Sequence, residues 1–200
     1  MKLREVSQGR VLGFDLESKP SAFWYERPTA EITAIAWKWT DEETVHVMAR
    51  RSDGRFACND GKRISHQKAF TRFAAVLTEA SVVFGHNIRN FDLPLLNAGM
   101  LRKELPVLPA VVASDTLRDV PRRRDMSWSL ENLCALYGIE VEGEGKRHMS
   151  IVDWERSNEL TNSGVMKTLD RVVSDVLLQE LLRQKLIDLG ILGAPKVWRP

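Results

Sequence analysis

Apolar and polar residues recur along this chain with two periods, and these periods predict its secondary structure. Alternating or short apolar runs predict strands over residues 10–16, 31–39, 44–49, 81–84 and 110–114. Apolar residues at helical spacing predict helices over residues 67–80, 91–101, 129–137 and 163–189. The polar, glycine-rich stretch 140–148 is predicted to be a mobile loop, and the tail from residue 190 to be irregular.

The order of these elements predicts an α/β fold, in which a mixed β-sheet of about five strands is flanked by helices. An early antiparallel hairpin turns at residues 41–43, and helices connect the later strands, which is typical of parallel crossovers. The carboxyl end of the first strand would then lie in the middle of the sheet, where a functional site is expected. Since no repeat or linker divides the chain, we expect residues 1–200 to form a single domain.

Two acidic residues, Asp15 and Glu17, stand at the end of the first predicted strand. Because side chains alternate along a strand, both carboxylates lie on the same face. Neighbouring carboxylates repel each other unless a cation joins them, so the pair predicts a Mg²⁺ or Mn²⁺ site. The alternative is a solvated pair of acids at a strand end.

Two further acids fall on predicted helices. Asp92 lies in the first turn of the helix that begins near residue 91, where it either serves a functional site or simply complements the helix dipole. Asp175 borders the apolar stripe of the last helix, and a carboxylate there needs a partner. That partner is either a cation bound in a site or Arg171, at i,i+4 spacing.

The three acidic segments together resemble the DEDD superfamily of 3′–5′ exonucleases. Phe14-Asp15-Leu16-Glu17 resembles the first motif of that family. The segment from Asn87 to Phe91-Asp92 is similar to the second motif, in the form found in proofreading domains of family-B DNA polymerases. Asp175 resembles the third motif, and segments 114–117 and 129–133 resemble connecting segments. The resemblance extends from residue 10 to about residue 187.

This resemblance implies a ribonuclease-H-like fold and a centre with two divalent cations, Mg²⁺ or Mn²⁺. Asp15, Glu17 and Asp175 would hold one ion, and Asp15 and Asp92 would hold the other together with the scissile phosphate. Two ions ~3.5–4 Å apart can activate a water and stabilise the leaving 3′ oxygen. On this basis Asp15, Glu17, Asp92 and Asp175 are the candidate catalytic residues.

The chain departs from the family at the group that orients the attacking water. The family has a Tyr four residues before the last Asp or a His five residues before it, and this chain has Arg171 and Asp170 there. Arginine stays protonated and is a poor general base. Either the metal alone activates the water, or His148 from the predicted loop takes part, or the enzyme is slow.

Candidate contacts to nucleic acid surround these acids. Leu16 and Phe91 resemble positions that line the terminal-nucleotide pocket in the family. Trp24 and Tyr25 would either stack on a terminal base or pack within their loop, and His86 would contact a nucleotide or make a structural hydrogen bond. The remaining candidates are polar or cationic, namely Asn87, Arg171, Arg118 and residues 122–124.

Composition restricts the cellular compartment of the protein more than it restricts the chemistry of the site. The net charge of +2 does not suggest a strongly basic nucleic-acid coat, and the local basic pairs at 50–51, 62–63 and 146–147 either contact phosphates or are solvated. Cys58 and Cys134 are too few for a disulfide framework or a zinc ribbon. Residues 1–5 lack a signal-peptide core, and no apolar run approaches the ~20 residues of a membrane span. We therefore expect a cytoplasmic protein without a membrane partner.

The leading hypothesis is a free-standing, metal-dependent exonuclease that acts on the 3′ end of single-stranded nucleic acid, with DNA favoured over RNA. It would suit bacterial or bacteriophage replication and repair, with proteins of those processes as partners. The alternatives are an exoribonuclease and a degenerate member that only binds nucleic acid or a protein partner. The four retained acids favour catalysis, and the missing Tyr or His favours the degenerate member.

Overall fold

The computed structural model describes residues 9–19, 30–121, 127–139 and 149–200. In these ranges the strands are β1 (Val11–Ser18), β2 (Ile32–Trp39), β3 (His46–Arg50), β4 (Phe56–Cys58), β5 (Arg63–Ile64), β6 (Val82–Gly85), β7 (Val111–Asp115) and β8 (Lys196–Trp198). The helices are α1 (His66–Glu79), α2 (Asp92–Leu101), α3 (Leu130–Leu136), α4 (Ile151–Asn158) and α5 (Asn162–Asp188).

The strands of the described residues form one sheet, in the order β5-β4-β3-β2-β1-β6-β7-β8. β1 pairs antiparallel with β2 and parallel with β6, and β6 pairs parallel with β7. β1 is therefore an inner strand at the junction of the antiparallel and parallel parts. The predicted mixed α/β sheet flanked by helices is confirmed.

The expected number of about five strands was wrong, because the sheet has eight. The additional strands β4, β5 and β8 contain only two or three residues, too few to show a period of two. β8 also corrects the prediction of an irregular tail, since it pairs antiparallel with β7 from Val111 opposite Trp198. These short strands are defined by pairing with a neighbour rather than by their own sequence.

Four helices begin and end within one residue of their predicted bounds, and the fifth, α4, was not predicted. The side chains of Ser65, Ser129 and Thr161 cap α1, α3 and α5 by accepting backbone N–H groups. α4 begins at a reciprocal capping box between Ser150 and Asp153. That sequence signal was present, but eight residues are too few for a convincing helical period.

The two faces of the sheet differ in the size of their side chains. On β1, Leu12, Phe14 and Leu16 belong to the large core that also includes residues of α1 and α2. On β2, the alternating residues Ala34 and Ala36 pack with valines of α5 on the opposite face. Small side chains allow a helix to lie close to a sheet. α5 therefore crosses β1 and β2 on the face to which Asp15 and Glu17 point.

Gly164 shows how tightly α4 and α5 pack, and it carries a testable prediction. A Cβ atom at Gly164 would lie 2.3 Å from the carbonyl carbon and oxygen of Arg156. The backbone would have to shift, so we expect Gly164→Ala to lower the free energy of unfolding by about 1–3 kcal/mol, despite alanine's higher helix propensity. Urea unfolding would measure the change. Met166→Ala, at a position 53% exposed on the same helix, is the comparator, and equal stability of the two variants would contradict the prediction.

Candidate active site

Three carboxylates converge where β1 meets α5. Asp15 and Glu17 project from β1 toward α5, which supplies Asp175 near its middle. Asp175 is 4% exposed and Glu17 is 8% exposed. One ligand oxygen from each of Asp15, Glu17 and Asp175 lies within 4.8 Å of the other two. Such a set of hard oxygen donors fits a Mg²⁺ or Mn²⁺ ion, and we refer to these three residues as the acidic cluster.

Asp92 reaches the same pocket from the other side of β1. It is the first residue of α2 and is 2% exposed. Its Oδ1 atom accepts a hydrogen bond from the backbone N–H of Leu16, at 3.1 Å. Leu16 lies between Asp15 and Glu17, so this bond ties the start of α2 to the strand that carries both acids. Asp92 lines the pocket but is not part of the acidic cluster defined above.

The pocket has a volume of about 480 Å³, which lies in the range of small-molecule sites. It brings together most of the residues predicted from the sequence. These are Asp15, Leu16, Glu17, His86, Asn87, Phe91, Asp92, Arg171 and Asp175. Of the predicted site residues, Trp24 lies outside the residues that the structure describes, as do Tyr25, residues 122–124, His148 and the predicted mobile loop 140–148.

Burial and mutual repulsion change the protonation of the acids. The pKa of Asp15 is raised well above its ordinary value, first by burial and then by the charges of Asp175, Asp92 and Glu17. Burial raises the pKa of Asp92 to about 8, although the hydrogen bond from Leu16 opposes the shift. With a pKa of about 8, Asp92 retains a proton near neutral pH in the absence of a cation, and the shift of Asp15 is in the same direction. A divalent cation would replace such protons, so the chemistry of the donor set fits a metal centre.

Arg171 lies inside this group of acids. Its Nε donates a hydrogen bond to Oε1 of Glu17 at 2.6 Å, and its Nη2 is 3.9 Å from Oδ2 of Asp175. Its guanidinium carbon lies 5.2 Å from the centroid of the Trp154 ring. The sequence-based alternative of an Arg171–Asp175 pair is therefore present, but the shorter contact is with Glu17. Burial lowers the pKa of Arg171, and the charges of Glu17 and Asp175 more than offset this.

A hydrogen-bonded turn holds His86 and Asn87 at the pocket. Nδ1 of His86 lies 3.0 Å from Oγ1 of Thr116, which supports the structural interpretation of this histidine. Asn87 has a φ of 68°, a left-handed conformation that Asn tolerates. The fully buried Asp115 carboxylate accepts the backbone N–H groups of Asn87 and Arg89, at 2.9 and 3.1 Å. Asp115 thus supports the turn that precedes Asp92.

Sequence reasoning missed three side chains that shape the site. Nε2 of Gln179 donates to Oδ1 of Asp15 at 2.8 Å, and Gln179 is 1% exposed. Its signal was its position four residues after Asp175, on the same helix face. Trp154 and the exposed Ile151 form an apolar wall of the pocket, and the capping box at Ser150 was the signal for their helix.

Three of the four residues in the basic pairs that the structure describes form ion pairs with acids, and Arg51 donates to Oδ1 of Asn162 at 2.8 Å. Arg50 forms an ion pair with Glu31. Lys62 pairs with Asp60 at 3.3 Å, and Arg63 pairs with Asp53 at 3.2 Å. These contacts favour the interpretation of both pairs as surface features. Arg118 is exposed and its Nε donates to Oδ1 of Asn87 at 3.3 Å, which places it beside the pocket.

Comparison with known proteins identifies the fold. No protein-family model matches the chain, and no curated protein matches it in sequence. Among solved structures, the chain is similar to the family B DNA polymerase from the hyperthermophilic archaeon Pyrobaculum calidifontis, with a TM-score of 0.62 and 16% sequence identity. The match covers 89% of this chain and 24% of the polymerase chain. None of the helices described is both long enough and apolar enough to cross a membrane. The chain thus has the ribonuclease-H-like α/β fold expected from its sequence.

Proposed function

We propose that this protein is a metal-dependent 3′–5′ exonuclease of the DEDD type, which hydrolyses phosphodiester bonds at the 3′ end of single-stranded DNA. The observation that carries the proposal is the convergence of Asp15, Glu17 and Asp175 within 4.8 Å in one pocket with Asp92. The similarity in fold to a family B DNA polymerase supports a nuclease of this type and favours DNA over RNA.

In this proposal the four acids hold two ions, Mg²⁺ or Mn²⁺. Asp15, Glu17 and Asp175 bind one of them, and Asp15 and Asp92 bind the other. When bound, the ions would supply the Lewis acidity needed to activate the attacking water and to stabilise the leaving 3′ oxygen. Gln179 orients Asp15 through its hydrogen bond of 2.8 Å, and the N–H of Leu16 orients Asp92. The protein thus presents its ligands in fixed positions.

The remaining pocket residues bind the terminal nucleotide. Leu16 and Phe91 line the pocket next to the acids, and Trp154 and Ile151 offer apolar surface for a base. Arg171 contacts the phosphate, and because it stays protonated it does not accept a proton from the water. His86 and Asn87 complete the polar edge of the pocket on the side of Thr116.

A degenerate module that binds nucleic acid or a protein partner is the second candidate. The observation that favours it is the hydrogen bond of 2.6 Å from Arg171 to Glu17, since this bond engages a carboxylate that a metal ion needs as a ligand.

A 3′–5′ exoribonuclease would use the same acids, and it differs only in the sugar that it accepts.

Incubation of 5′-labelled single-stranded DNA and RNA with the protein and Mg²⁺ or Mn²⁺ would test the proposal. We expect the labelled DNA to shorten stepwise from its 3′ end, and no shortening in EDTA. A DNA with a blocked 3′ phosphate is a matched substrate that distinguishes exonuclease from endonuclease action. Preferential shortening of RNA would indicate the exoribonuclease. Binding without cleavage in either metal would indicate the degenerate module.

The proposal also covers the domain organisation, the cellular compartment and the partners of the protein. We propose that residues 1–200 act as one domain in the cytoplasm, together with proteins of DNA replication or repair. Cys58 and Cys134 are both buried free thiols, as a reducing compartment permits.

A further inference from the structure

A second pocket lies on the face of the sheet that α1 and α2 cover. Its volume is about 500 Å³, and its described lining residues are all different from those of the pocket that contains the acidic cluster, which we call the acidic pocket. The buried side chains of Ile32 and Phe70, together with Gly99, form its apolar base. The other described lining residues are Glu31, Arg50, Gly54, His66, Arg102 and Lys103.

The described lining of this second pocket carries excess positive charge. Three cationic side chains face one carboxylate, which leaves two positive charges while His66 is neutral. The carboxylate of Glu31 is already engaged, because it pairs with Arg50 and lies 3.6 Å from Nζ of Lys19. Nε of Arg50 is buried and has no hydrogen-bond partner among the described residues. The pocket therefore attracts an additional anion.

Two cations at the end of α2 contribute most of this excess. Arg102 and Lys103 are both exposed. Nη2 of Arg102 donates to the backbone oxygen of Ala30 at 2.7 Å, which holds the guanidinium beside the start of β2. Within the part of the chain that the structure describes, Lys103 forms no ion pair, in contrast to the basic pair at 62–63. Lys103 is thus available to a ligand in this pocket.

His66 lies in the same positive potential. It is the first residue of α1, and the first turn of this 14-residue helix contains no acidic residue that would oppose the positive end of the helix dipole. Burial lowers the pKa of His66, as do the charges of Arg50 and Lys103, whereas Glu31 acts in the opposite direction. A neutral imidazole can donate a hydrogen bond to an anion without first releasing or taking up a proton.

The second pocket lies next to the acidic pocket along the same edge of the sheet. Ser18 lines the acidic pocket, and its partner across the sheet, Ile32, lines the second pocket. α2 connects the two pockets, since it begins with Asp92 and is followed directly by Arg102. Ten residues of helix span ~15 Å, which corresponds to roughly four nucleotides at the ~3.4 Å spacing of a stacked strand.

On the basis of the proposed function, we propose that the second pocket binds a phosphate group of the nucleic-acid strand whose 3′ end occupies the acidic pocket. The bound phosphate belongs to a nucleotide roughly four positions or fewer from the 3′ end. A free nucleotide has the same phosphate chemistry, but the position of the pocket beside the acidic pocket favours the strand.

Binding of the oligonucleotides (dT)2 and (dT)8 tests this inference, because only the longer one reaches both pockets. Affinities are measured by fluorescence anisotropy with Ca²⁺ in place of Mg²⁺, and the length of each oligonucleotide is verified afterwards. In the wild type we expect (dT)8 to bind at least about tenfold more tightly than (dT)2. Lys103→Gln should reduce this ratio about fivefold and decrease the dependence of log K on log salt by roughly one unit of slope.

Lys185→Gln is the matched control for this change of charge. It removes one exposed lysine charge from α5, which packs on the opposite face of the sheet. We expect this variant to retain the wild-type ratio and the wild-type salt dependence. A decrease as large as that of Lys103→Gln would show that net charge, rather than the second pocket, favours the longer strand, and would overturn the inference.

The pKa of His66 gives a readout that needs no change in the cationic residues. A phosphate in the second pocket would offset the positive charges that lower this pKa, so we expect (dT)8 to raise it by about half a pH unit or more. Proton NMR of the wild type measures the pKa, and loss of a signal in His66→Gln assigns it. Thymidine 5′-monophosphate at the same phosphate concentration should have a smaller effect, and an equal effect would overturn the assignment to a strand.

The outcomes separate this inference from the proposed function. An unchanged pKa of His66, together with the wild-type ratio of affinities in Lys103→Gln, would overturn the phosphate site and leave the exonuclease standing. If Mg²⁺ and Mn²⁺ support no cleavage but the binding of (dT)8 still depends on Lys103, the exonuclease is overturned and the phosphate site is supported.

Discussion

Asp15→Asn is expected to abolish most of the 3′ cleavage of single-stranded DNA, with a loss of about 10³-fold or more in rate. Asp15 is the acid that both proposed ions share, and it contributes an oxygen to the acidic cluster. An amide has the size of the carboxylate but lacks its charge, so the ions would bind weakly and stabilise less charge in the transition state. A loss of several kcal/mol of such stabilisation corresponds to a rate decrease of this size.

The change is measured as the initial rate of shortening of 5′-labelled DNA at saturating Mg²⁺. Asp188→Asn is the matched control, because it removes an exposed carboxylate from the same helix as Asp175. We expect the control to cleave at the wild-type rate. Equal rates for Asp15→Asn and the wild type would show that cleavage does not depend on the acidic cluster.

The metal-free protein is expected to lose stability as the pH rises from about 4 to about 8. Burial raises the pKa of Asp92 to about 8 in the folded protein, from an ordinary value of 3.8. Between these values the folded protein keeps a proton that the unfolded chain has released, so each rise in pH favours unfolding. For one fully shifted group the free energy of unfolding falls by about 1.4 kcal/mol per pH unit. The raised pKa of Asp15 acts in the same direction.

Urea unfolding in EDTA at several pH values between 5 and 8 would measure this slope. Asp92→Asn should flatten it, because the amide oxygen can still accept the N–H of Leu16 but does not ionise. Asp188→Asn, at an exposed position, removes a carboxylate without this effect. Addition of Mg²⁺ should stabilise the protein most at the high end of the range, since the ion binds the ionised acids. A slope that is identical in the wild type and in Asp92→Asn would contradict the assignment to Asp92.

Much of the site could be anticipated from local sequence patterns. Alternation along β1 places Asp15 and Glu17 on one face opposite Leu16, and the structure has this arrangement. The helical period places Arg171, Asp175 and Gln179 on one face of α5, although the importance of Gln179 was missed. α4 was not predicted, because one capping box and eight residues are weak evidence for a helix. The pocket wall formed by Trp154, which lies on α4, was missed for the same reason.

The sequence by itself determined the order of the long elements and the face on which each acid lies, since both depend on periods of two or about 3.6 residues within a single segment. Only the tertiary structure decided that the face of β1 with Asp15 and Glu17 meets α5, because the small side chains of Ala34 and Ala36 and the valines of α5 pack together from distant parts of the chain. The same packing brings Arg171 closer to Glu17 than to Asp175, its neighbour on the helix. Pairing across the sheet likewise created β4, β5 and β8, whose short sequences carry no period of their own.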